Sequence, residues 1–113
     1  MASSSPENDP AYFGFTDLHG FKDFLVAVIV DAPDDFMEMD WLKPEDQMNL
    51  DRAFVGLRYG LDLTAKEKGD SEVVAKCREL VEEAYAEYVA GRDMEGQRKL
   101  EEMDQLLKKL PSQ

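Results

Sequence analysis

Three apolar seams, each at helical spacing and each closed by a glycine or a proline, restrict what this chain can fold into. Leu50, Phe54, Leu57 and Leu61 recur at i, i+4, i+7 and i+11, which gathers them on one face of a helix. Val74, Cys77, Val81, Ala84, Tyr85 and Tyr88 keep a second face, and Leu100, Met103, Leu107 and Leu110 a third. Gly69-Asp70 and Gly91-Arg92 separate the seams, with Asp70 or Ser71 placed to cap the second and Asp93 to open the third, and Pro111 follows the last. Glycine just past a helix end supplies the left-handed residue that closes it. Loops this short make successive helices antiparallel neighbours.

Upstream, Phe21, Phe24, Leu25, Val28 and Ile29 share a helical face, with Thr16 or Asp17 as the cap and Ala32-Pro33 as the end near Asp31. Residues 24–30 are β-branched enough for a buried strand, and periodicity alone does not separate the two. Helix is preferred because the chain offers no second strand to pair with it. Pro33 to Pro44 reads as an ordered connection with room for one helical turn. Pro44 suits the start of the long helix, with Glu45 and Asp46 in its first turn, where acids complement the macrodipole. The expected fold is all-α, a four- to five-helix antiparallel bundle over residues 13–113. A disordered polar leader, residues 1–12, precedes it.

The 113 residues suit one domain, and 43% hydrophobic content suffices for a core. A single cysteine, Cys77, and a single histidine, His19, exclude an intramolecular disulfide and a Cys/His zinc set within the chain. Cys77 falls on a core seam and reads as a small hydrophobe. The glycines match neither the phosphate-loop nor the dinucleotide spacing. A calcium loop begun at Asp31 would place Pro33, Asp35, Phe36 and Leu42 where oxygen ligands and a glycine are needed. Acids are many, but nothing marks one as buried, the condition for a general acid. No enzymatic activity, metal or cofactor is expected. A ligand held inside the bundle would need a pocket at Gly56 and Gly60.

Charge is unevenly spread. Residues 1–51 hold twelve acids and two bases, a balance of −10, whereas residues 52–113 hold thirteen acids and eleven bases, a balance of −2. Such a field repels nucleic acid and anionic membranes and favours a basic surface. The longest apolar run, residues 24–30, is far short of the ~20 residues a membrane helix needs. The acidic start is unlike a secretory signal, so a cytoplasmic protein is expected.

Within the acid-rich half, one segment combines charge with large side chains. Asp34, Asp35, Glu38, Asp40, Glu45 and Asp46 surround Phe36, Met37, Met39, Trp41, Leu42 and Met48. Interfaces draw their energy from a few aromatic anchors and their on-rate from surrounding charge. The acids and Trp41 are therefore the candidate partner-binding residues. The competing reading makes Phe36, Trp41 and Leu42 plugs over the end of the bundle, with the acids merely solvated. Both readings hold if they apply to different residues, and Trp41 is then the plug and the acids the contact groups.

Two resemblances follow. Ala84 to Tyr88, the turn at Gly91 to Asp93, then Gly96 and Leu100 resemble one tetratricopeptide-type helical pair, a pattern any tight αα corner also favours. More broadly, Phe24-Leu25, Ala32 to Phe36, Asp40-Trp41-Leu42, Leu57 to Leu61 and Ala84 to Gly91 give the span from about Phe13 to Leu110 a likeness to a known group. It resembles the small acidic helical immunity proteins that bacteria pair with secreted toxins, including those of type VI secretion and other polymorphic toxin systems. The resemblance implies a cytoplasmic inhibitor that occludes a cognate toxin, often with acids opposing a basic cleft. The alternative drawn from the residues is an adaptor or assembly subunit that uses an apolar helix face, with a homodimer as one form.

Overall fold

A computed structural model describes residues 13–32, 36, 43 and 47–110 of the chain. The described residues form four helices and no strand: α1 (Leu18–Asp31), α2 (Leu50–Lys68), α3 (Glu72–Val89) and α4 (Asp93–Leu107). Residues 24–30, for which a strand was the alternative, are helical. Leader residues 1–12 lie outside the described part.

Three of the four helices start where a side chain answers a free N–H group of the first turn, and α4, preceded by Arg92, has no such cap. The Asp17 carboxylate accepts from Gly20 N at 2.8 Å, the Asn49 carboxamide oxygen from Arg52 N at 2.9 Å, and the Ser71 hydroxyl from Val74 N at 3.4 Å. Asn49 corrects the expected start of the long helix. Its backbone is extended, so α2 begins at Leu50, and the acid of its first turn is Asp51 instead of Glu45 or Asp46. Residues 47 and 48 before it are not helical.

Gly69 ends α2 with φ +90, and Gly91 follows α3 with φ +83. The second is a Schellman turn. Arg92 N donates to Glu87 O at 2.8 Å and Gly91 N to Tyr88 O at 3.0 Å, the two bonds that define that motif.

Burial follows the seams. Phe21, Leu25 and Val28 of α1, Phe54, Leu57 and Leu61 of α2, Val74, Cys77, Leu80, Val81 and Ala84 of α3, and Leu100, Met103 and Leu107 of α4 are all buried. Each helix packs on its neighbour in the chain, most extensively α3 on α4, and α1 also meets α4. Lys22 Nζ of α1 donates to the Leu110 carbonyl beyond α4 at 2.7 Å, across 88 residues of sequence.

Helices α1 and α2 fit ring against backbone. A β-carbon on Gly56 would come within 2.6 Å of the Phe24 ring and 2.8 Å of the Phe13 ring, and one on Gly60 would overlap Phe21. Phe13 and Phe15, both buried, extend this aromatic layer onto Phe24 and Tyr59. The two glycines are thus notches filled by aromatic side chains, and they leave no room for the ligand that a pocket at Gly56 and Gly60 would have held.

Candidate functional site

The sequence places the candidate contact residues in the connection between α1 and α2. Asp34, Asp35, Glu38, Asp40, Trp41, Glu45 and Asp46 all lie outside the described residues. The structure does describe what flanks and interrupts them. Phe36, within the connection, is half-buried and packs against the core, as does Met48 just before α2. Phe36 therefore behaves as a plug, while Lys43 is exposed. Trp41 and Leu42, the other two plugs of that reading, are outside the described part.

The connection enters and leaves the bundle near a definite set of neighbours. Asp51, in the first turn of α2, accepts a hydrogen bond from the Tyr85 hydroxyl near the end of α3. The Phe54 ring stands edge-on to Tyr85 and Tyr88, at centroid distances of 5.2 and 6.0 Å. The start of α2 is thus beside the end of α3 and the α3–α4 turn. On α1, Phe24 meets Gly56 and the earlier Phe21 meets Gly60, so the later residue of α1 contacts the earlier part of α2.

Next to this end, α2 and α3 share a polar face. Arg58 grips the Glu82 carboxylate with two hydrogen bonds, at 2.8 and 3.0 Å, and its guanidinium lies 5.6 Å from the centre of the Tyr85 ring. One helical turn further, Arg78 of α3 reaches Asp62 of α2 at 2.8 Å. These residues line an open cleft of about 300 Å³ whose floor is Leu61 and Val81. The hydrogen bonds from Arg58 hold the Glu82 carboxyl below its ordinary range, and the same bonds keep the guanidinium more firmly protonated. The bond to Asp51 raises the Tyr85 phenol. Both ion pairs are well exposed, so they serve as clasps between helices.

Other chemically capable groups are separate. His19 stands on the exposed side of α1, 3.9 Å from Asp23. Cys77 is buried, and burial pushes its thiol up to about 11, far from the thiolate a nucleophile requires. The Tyr88 hydroxyl is buried with no hydrogen-bond partner among the described residues, and burial raises it to about 12, with Asp93 and Glu101 adding to the shift. Among the described residues no three His, Cys, Asp or Glu side chains cluster to hold a metal ion. Nor is any described helix long and apolar enough to cross a membrane.

Two features of this end were missed in the sequence. Arg58 and Asp62 on α2, and Arg78 and Glu82 on α3, each stand at i, i+4 with opposite sign, a matched pattern that could have announced the clasp. Tyr85 was placed on a core seam, but it is only half-buried, because its hydroxyl turns outward to Asp51. Val30, Val89 and Met94 are 64–70% exposed, and no periodic signal distinguishes such residues from seam members. Comparison of the chain with known protein families, with curated proteins and with solved structures returned no match.

Proposed function

We propose that this chain is an immunity-type inhibitor that binds and neutralises a cognate, basic-surfaced bacterial toxin, acting in the cytoplasm and without catalysis. Contact falls to the connection between α1 and α2, with Asp34, Asp35, Glu38, Asp40, Glu45 and Asp46 opposing the partner's cations and Trp41 adding apolar area. The observation that carries this reading is the anchoring of the connection. Phe36 and Met48 pack on the core, so the connection in which these acids fall in the sequence is held to a folded support at Phe36 and again just before α2. Tethered charge of one sign accelerates encounter with an opposite surface and selects against nucleic acid.

The support itself is, in this reading, an antiparallel four-helix bundle. Its register favours that arrangement. Arg58 meets Glu82 and Asp62 meets Arg78, so rising numbers on α2 meet falling numbers on α3.

The experiment is co-purification with the product of the neighbouring gene, followed by titration at several salt concentrations. Reversing Asp34, Asp35, Glu38 and Asp40 to lysine is expected to weaken binding and flatten its salt dependence with helical circular dichroism retained. Unchanged affinity would sink the assignment, and a neighbouring gene of unrelated metabolism would count heavily against it. A second reading, assembly through a helix face, is favoured by Val26 and Val30, exposed one turn apart on α1. It predicts a salt-insensitive dimer of the purified chain in light scattering.

A further inference from the structure

We draw no further inference here: the strongest candidate, the outer face of α1 on which Val26, Ala27 and Val30 lie exposed, carries nothing beyond the second reading already given, because nothing in the structure shows what covers it.

Discussion

The Phe21 ring of α1 lies against the bare backbone of Gly60 in α2, so closely that a β-carbon on the glycine would overlap it. A glycine inside a helix costs ~1 kcal/mol relative to alanine, and a close approach is what justifies that cost. Gly60→Ala is therefore expected to destabilise the protein despite its better helix propensity, since overpacking a filled site costs roughly 1–3 kcal/mol. Phe21→Leu in the same chain should recover part of the loss. Urea unfolding of the two single variants and the double variant gives the coupling directly, and additive effects would show that the two residues do not share the site.

Tyr88 carries a hydroxyl buried with no partner among the described residues, on a residue only 5% exposed. Leaving such a group unpaired costs on the order of 1–3 kcal/mol. Tyr88→Phe keeps the ring above Gly96 and is expected to raise the Tm. A lower Tm would mean that the hydroxyl is hydrogen-bonded in solution.

Gly91 adopts φ +83 between two hydrogen bonds that close α3. An alanine there carries the left-handed penalty of roughly 1–2 kcal/mol, while Gly96→Ala must displace the Tyr88 ring. Both should destabilise, but Gly91→Asn should lose less than Gly91→Ala, because asparagine tolerates that region. Thermal unfolding of the three variants checks the order.

Glu82 titrates below the ordinary carboxylate value of 4.5 because Arg58 holds its charged form. A carboxyl whose folded pKa is depressed contributes stability above its unfolded pKa and loses it as pH falls through the lower folded value. Glu82→Gln should therefore cost stability at neutral pH, and the difference from wild type should close in acid below the folded pKa. The pair is exposed, so solvent and salt screening hold the neutral-pH cost below about 1 kcal/mol. Stability curves against pH at two salt concentrations read both effects.

The helices were legible because burial here follows period. Leu100, Met103 and Leu107 are buried where their spacing put them, and Gly69 and Gly91 take the positive φ just past the ends of α2 and α3, as their places in the sequence predict. The start of α2 was misplaced because Pro44 with two acids imitates a first turn, whereas Asn49 supplies the side-chain oxygen that starts the helix. Leu80 was left off the α3 seam, although it is buried, because α3 faces both α2 and α4 and needs a stripe wider than one row of contacts. The filling of Gly56 and Gly60 by rings from α1 was not legible either. Pairing a notch with the residue that enters it requires knowing which helices meet.

The contact of α1 with α4, sealed by Lys22 on the Leu110 carbonyl, also bears on the order of assembly. Helices α2, α3 and α4 meet through short turns and can associate as they form. By contrast, α1 must close a long loop before its rings find their notches, and loop closure draws on chain entropy that only completed packing returns. Amides of α1 should therefore gain protection from hydrogen exchange last during refolding, after those of α2, α3 and α4, although α1 precedes all three in the chain.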